Sequence, residues 1–208
     1  MRILVFGATG RTGRLVIDQA LSHGSDVVAF VRDPRRLTVD HERLSVVVGD
    51  VTEAASVRAA MDGCDAVVFA VGAHGWGPVS VYSDGIANVI RAMTARGIRR
   101  LVAVSAVGVG ADRANLSRVV KMVRLIPFLA PIYEDMERME GDIFLSDVDW
   151  TIVRPGGLTN GPLTGRYRVV EGNAVPKGSW ISRADLAALL LKCAQGSFYL
   201  RKAVAVSY

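Results

Sequence analysis

The stretch Ile3-Leu4-Val5-Phe6-Gly7-Ala8-Thr9-Gly10-Arg11-Thr12-Gly13 decides the fold. A short run that is apolar at every position enters three glycines spaced three apart, and a helical pattern follows to about His23. A strand of that kind is covered on both faces, as in a parallel sheet with helices on each side. Glycines at this place let the chain turn tightly out of the strand, let the backbone approach a phosphate and let the helix pack on the sheet. The unpaired N–H groups at the positive end of the helix then seat phosphates. The spacing predicts a dinucleotide site at the front of the chain.

Further runs of the same kind are Val27–Val31, Val46–Val48, Ala66–Val71, Leu101–Ala106 and Thr151–Val153. Between them Ile86, Val89, Ile90 and Met93 keep helical spacing, and so do Leu186, Leu189, Leu190 and Cys193. Ser182 with Asp185 three residues on marks the start of the last helix. Alternating strands and helices predict an α/β fold, a single doubly wound domain over residues 1–208 with a parallel central sheet. A small C-terminal substrate region is expected over residues 155–181.

The alternation weakens between residues 107 and 148. Residues 91–124 hold eight basic side chains and one acid, whereas 133–149 hold seven acids and one Arg. The basic, apolar run that ends at Tyr133 admits a membrane-surface or nucleic-acid helix. The preferred reading is a substrate flap over residues 107–133, because the acidic segment offsets its charge, no aromatics interleave with the arginines, and Pro127 and Pro131 break any long helix.

Composition narrows the class. The 208 residues carry 25 Lys+Arg against 20 Asp+Glu, a net charge of +5, and half are apolar. Disorder, collagen and coiled coil are excluded. Two cysteines, Cys64 and Cys193, make no disulfide framework and fit a reducing cytoplasm, the expected location. The N-terminus has no signal-peptide pattern. No stretch reaches the 18 or so apolar residues of a membrane span. Three scattered histidines offer no metal-ligand spacing. A small-molecule acceptor is expected as partner, with no nucleic acid and no stable membrane association; monomer and dimer both stay open.

The ends of the strands carry the remaining candidates. Nineteen residues past Gly13, an NAD site would place an acid for the ribose 2′-hydroxyl; Arg32 stands there, with Arg35 and Arg36 close by. A guanidinium suits a 2′-phosphate by charge and by its fork of donors, so NADP is expected. Asp33 keeps weaker NAD use possible. Ala70, Val71 and Gly72 would pass the cofactor's ribose, and His74 and Trp76 in the next loop are substrate candidates together with Phe128 and Tyr133. Ligands of open α/β sheets bind beyond the carboxyl ends of the strands, which points Ser105 at the reactive face as the catalytic candidate. Pro155, Gly156 and Gly157 form a rigid turn suited to line the nicotinamide side.

Taken together, GATGRTG, VRDP, VGDV, VSA and DWTIVRPGGLTNGPLTGRY resemble the atypical short-chain dehydrogenases/reductases with an NAD(P)H-binding Rossmann domain, nearest the flavin reductase/biliverdin reductase B group. The resemblance implies NADP(H) held by Gly7, Thr9, Gly10, Arg11, Thr12, Gly13, Arg32 and Asp50, with Asp50 and the amide of Val51 reading the adenine edge. It further implies NADPH-dependent hydride transfer to a flavin, a quinone or a tetrapyrrole such as biliverdin. Two departures stand out. The wider superfamily's Tyr-x-x-x-Lys pair is missing, since Glu137 follows Tyr133, and Gly157 replaces the group's histidine. Acceptors that delocalise added electrons need less from a protein acid, so the proton is expected from water, with Ser105 positioning the reactants. The missing pair also admits a non-catalytic NADP(H) sensor; a nucleotide-sugar epimerase or dehydratase is a further alternative.

Overall fold

The computed structural model describes residues 1–73, 79–110, 129–172 and 180–208. Among these, five α-helices and a central sheet of eight strands alternate along the chain. The first half runs β1 (Arg2–Phe6), α1 (Arg11–Ser22), β2 (Asp26–Val31), β3 (Leu44–Val48), α2 (Ala54–Ala60), β4 (Ala66–Phe69), α3 (Val81–Arg96) and β5 (Arg100–Val104). The second half runs α4 (Ala130–Leu145), β6 (Asp149–Pro155), β7 (Gly157–Thr159), β8 (Arg168–Glu171), β9 (Trp180–Ser182), α5 (Arg183–Gln195) and β10 (Lys202–Ser207). The sheet order is β3-β2-β1-β4-β5-β6-β10-β8. Every pair is parallel except β10–β8, which closes the far edge antiparallel.

Alternate residues of each inner strand feed two separate cores. Ile3, Val5, Val27, Ala29 and Val68 pack with Val16, Ile17 and Ala20 of α1 and Leu186, Leu190 and Cys193 of α5. Leu4, Phe6, Phe30, Val67 and Phe69 face the other way, onto Val57 of α2, Ile86 and Met93 of α3 and Met139 and Ile143 of α4. Period-2 alternation with both faces apolar is what makes these strands read as unbroken apolar runs. The order reverses beside β1, and a crevice opens there at the carboxyl ends of the strands.

Several expectations need correction. Val46–Val48 is not covered on both faces: Val46 is 44% and Val48 57% exposed, because β3 is the sheet's edge. The expected flap overlaps a helix, since residues 130–133 form the first turn of α4. Pro131 opens that helix rather than breaking it, as fits a residue whose missing N–H would have no partner in the first turn. The rest of the flap from 111 to 128, including Phe128, lies outside the described residues, as do His74, Trp76 and residues 173–179. Within 155–181, β7 and β9 pair in a small parallel sheet, whereas β8 extends the central one. The acidic segment is not merely a solvated counterweight to the basic one. Asp135 is buried, accepting from the Tyr82 N–H at 2.8 Å and the Ser83 hydroxyl at 2.5 Å at the start of α3. Glu140 is buried as well, against Arg154.

Both thiols are free and buried, and burial pushes Cys193 up to about 11. Among the described residues no helix is long and apolar enough to cross a membrane.

Candidate functional site

The crevice is a cleft of about 780 Å³. Its floor is the glycine loop. Gly7 takes a left-handed φ of +78°, and a Cβ there would lie 2.2 Å from the Ala70 carbonyl oxygen. Gly13 is equally constrained, since its Cβ would fall 2.2 Å from the Gly7 oxygen. That is helix-on-strand packing, and Gly13 does not line the cleft, contrary to its expected contact role. Gly10 differs from both: a Cβ there would meet only the Gly7 oxygen, at 3.0 Å. A Cβ at Gly10 therefore meets less of the protein than one at Gly7 or Gly13. Gly10 is also the N-cap of α1 with no side-chain cap, and the first turn holds no acid. The helix's orphan N–H groups are therefore left for an anion.

Of the residues expected at the site, Gly7, Thr9, Gly10, Arg11, Thr12, Arg32, Asp50, Val51, Ala70, Val71, Gly72, Ser105, Pro155 and Gly156 line the cleft. At its outer end Arg32 and Arg36 reach the lining, but Arg35 does not. Arg35 instead holds Asp33 through Nε at 2.9 Å and Nη2 at 3.0 Å, and the Arg35 N–H donates to the same carboxylate. The acid that left NAD open is thereby engaged by its own turn. Asp50 accepts from the Thr52 N–H at 2.9 Å and its hydroxyl at 2.8 Å; the Thr52 N–H is the main cause holding its carboxyl below the usual carboxylate range. Val51 is locked by Asn88, whose Nδ2 donates to its carbonyl at 3.0 Å.

At the inner end Ser105 follows β5, its N–H donating to the Val153 carbonyl at 2.9 Å. Its hydroxyl is buried, with the residue only 3% exposed, and finds no hydrogen-bond partner among the described residues. A buried hydroxyl with no partner leaves a hydrogen bond that a ligand in the cleft could make. Beneath the loop after β5, Glu140 receives Arg154 Nε at 2.9 Å and Nη2 at 2.5 Å, both residues almost fully buried. A Cβ on Gly110 would strike the Arg154 guanidinium at 2.5 Å, so this ion pair is the platform on which the loop rests.

Two expected residues fall elsewhere. Gly157 turns away from the cleft, where its Cβ would lie 2.3 Å from the Trp180 indole. Trp180 thus fills the room beside the position that holds histidine in the resembled group. Tyr133 sits in the first turn of α4 and is not part of the lining.

Sequence reasoning missed Tyr82, Met136 and Arg183, which do line the cleft. Tyr82 is buried, its hydroxyl oxygen accepting from the Ala73 N–H at 2.9 Å, and burial pushes its pKa up. No lysine lines the cleft among the described residues, so no Tyr–Lys pair is assembled around it. A signal for Arg183 was present in the sequence. A cation in the first turn of a helix opposes the macrodipole, and so needs a reason.

Comparison with known proteins agrees with this geometry. Residues 7–196 match the NAD(P)H-binding family model, and the chain belongs to that family. The chain is 31% identical to an uncharacterized chloroplastic protein of Arabidopsis thaliana, At2g34460, over 98% of this chain and 76% of that one. It is 27% identical to YhfK of Bacillus subtilis, described as an uncharacterized sugar epimerase, over 90% of this chain and 85% of that one. Among solved structures it superposes on ChuY, an anaerobillin reductase of Escherichia coli O157:H7, with a TM-score of 0.82 at 24% identity, covering 100% of this chain and 97% of that one. That last likeness is one of fold.

Proposed function

We propose that the chain is an NADPH-dependent reductase that passes hydride to a planar, conjugated acceptor such as a flavin, a quinone or a tetrapyrrole. The observation that carries this reading is the continuity of one cleft from Arg32 and Arg36, past the uncapped start of α1, to the unpartnered Ser105 hydroxyl. The residues present fit NADPH. Arg32 and Arg36 would meet the 2′-phosphate, Thr9 to Thr12 the pyrophosphate, Asp50 and Val51 the adenine, and Ser105, Pro155 and Gly156 the nicotinamide. NADPH would supply the hydride, and the protein's part is to orient and to exclude water.

Ser105 would donate or accept one hydrogen bond that aligns the reacting partners. An alcohol's pKa is far too high for it to act alone as a general acid near neutral pH. Tyr82 is engaged by Ala73 and lacks the lysine that would make it a better acid, so the proton would come from water. The likeness to anaerobillin reductase supports a tetrapyrrole-like acceptor at the level of fold, and the likeness to YhfK supports a sugar epimerase instead.

Anaerobic NADPH oxidation against a panel of FMN, a soluble quinone, biliverdin and a nucleotide sugar separates these readings. The reductase reading expects oxidation with at least one conjugated acceptor. Saturable NADPH binding with no oxidation by any acceptor would overturn it. Conversion of the nucleotide sugar by the NADP⁺-loaded protein, read as sugar product with no net change in the cofactor, would then favour an epimerase, and no conversion would favour cofactor sensing.

A further inference from the structure

The cofactor reading gives a place to three of the cleft's four described arginines. The described lining carries Arg11, Arg32, Arg36 and Arg183, against one acid, Asp50. Arg32 and Arg36 stand at the adenine end and Arg11 at the pyrophosphate seat, which leaves Arg183 over.

Arg183 is the first residue of α5, as Arg11 is of α1, so both guanidiniums stand where the helix macrodipole disfavours a cation. The Arg183 Nη1 donates to Asn160 Oδ1 at 2.8 Å and to the Leu158 carbonyl at 3.3 Å, reaching across β7 to the side of the cleft that Leu158, Gly156 and Pro155 line. Both partners are neutral, and no carboxylate pairs with Arg183 among the described residues. Burial, and after it the charge of Arg11, push its pKa down. The Ser105 hydroxyl, buried and without a partner among the described residues, lines the same cleft. A guanidinium held by neutral oxygens and facing another cation keeps donors for an oxyanion.

We infer that Arg183 is a specificity-determining residue that binds an anionic tail on the acceptor, a phosphate or a carboxylate carried by the conjugated ring system. The inference rests on the reductase reading for the ring, and adds that the ring must carry a negative group. A flavin nucleotide and a tetrapyrrole with carboxylate side chains both supply one. An uncharged quinone does not.

FMN and riboflavin share one ring and differ in the phosphate, which makes them the test pair. Their binding is followed by quenching of flavin fluorescence in the presence of NADP⁺, so that no turnover is needed. The wild type is expected to bind FMN more tightly than riboflavin by about tenfold to a hundredfold, the size of a charge-assisted hydrogen bond. Arg183→Gln should collapse that ratio towards one while NADPH affinity holds, and Arg183→Lys, which keeps the charge, should restore part of it. Equal binding of the two flavins by the wild type, or no flavin binding, overturns the inference. A loss of NADPH affinity in Arg183→Gln with the flavin ratio intact overturns it too, because it would place the guanidinium on the cofactor. An Arg183-dependent preference for FMN, with no oxidation of NADPH by FMN or by any other acceptor of the panel, would leave the inference standing and sink the reductase reading alone.

Discussion

The two ends of the cleft are built by different means. At the cofactor end the glycine loop is one local turn, in which Gly10 and Gly13 both press on Gly7, and only Gly7 also meets a distant strand end, at Ala70. At the acceptor end, Ser105, Tyr82, Met136, Leu158 and Arg183 come from five separate places in the chain. They are held by long-range contacts such as Glu140–Arg154 and Asp135–Tyr82. The difference teaches that a loop of backbone constraints can be recognised from a dozen residues, whereas a pocket of converging side chains cannot. It also says where each end should fail when altered.

The largest effect is expected at the platform of the acceptor end. Glu140→Gln leaves the Arg154 guanidinium buried without its counter-charge, which costs roughly 3–5 kcal/mol of stability. Urea denaturation measures this. At sub-denaturing conditions the variant should lose acceptor reduction before it loses NADPH affinity. Parallel losses of both would mean that the two ends are not separately built.

Next comes the glycine loop, where the three positions should separate. Gly13→Ala drives a methyl into the Gly7 carbonyl and should destabilise the fold by roughly 1–3 kcal/mol, the usual scale of overpacking. Gly10→Ala should unfold at nearly the wild-type urea concentration yet bind NADPH weakly in calorimetry. A Gly10→Ala variant with unchanged affinity would reduce the loop to a structural turn.

Smaller and more selective is Arg32→Ala. Losing a charge-assisted hydrogen bond, worth about 1.5–3 kcal/mol, should weaken NADPH binding by roughly 10- to 150-fold. NADH should be almost unaffected, because Asp33 is held by Arg35 and does not take over the ribose. Equal losses for the two cofactors in a titration would remove the 2′-phosphate role.

Ser105→Ala is the mildest. It deletes one hydrogen bond of about 0.5–1.5 kcal/mol, so the rate of hydride transfer should fall about tenfold or less. A fall of 10²–10⁴ would mark a group that moves the proton itself.

The same contrast sets how much the sequence disclosed. The doubly wound sheet was legible, and so was the meeting of the glycine loop, Arg32, Asp50 and Ser105 in one cleft, because each follows a strand end with a plain local pattern. The exposed β3 was not, since Val46-Val47-Val48 reads the same at an edge as in the middle and only the strand order tells them apart. Gly157 was misread because the residue that fills its empty side, Trp180, lies 23 positions on (180 − 157) and meets it only through the β7–β9 pairing. Pro131 was misread because a proline that ends one helix can equally open the next. Arg183 went unseen although its place on the α5 dipole was readable, because its carbonyl and amide partners come from a turn more than 20 residues earlier.

The central claim is that one cleft both holds NADPH and delivers its hydride. Anaerobic mixing of the protein with FMN and NADPH, the latter deuterated at the transferred C4 position or not, tests it in a single turnover. The account predicts that flavin absorbance bleaches in step with loss of NADPH absorbance, and that deuteration slows both. NADPH that binds and stays unoxidised, with FMN and with every other acceptor of the panel, would contradict it.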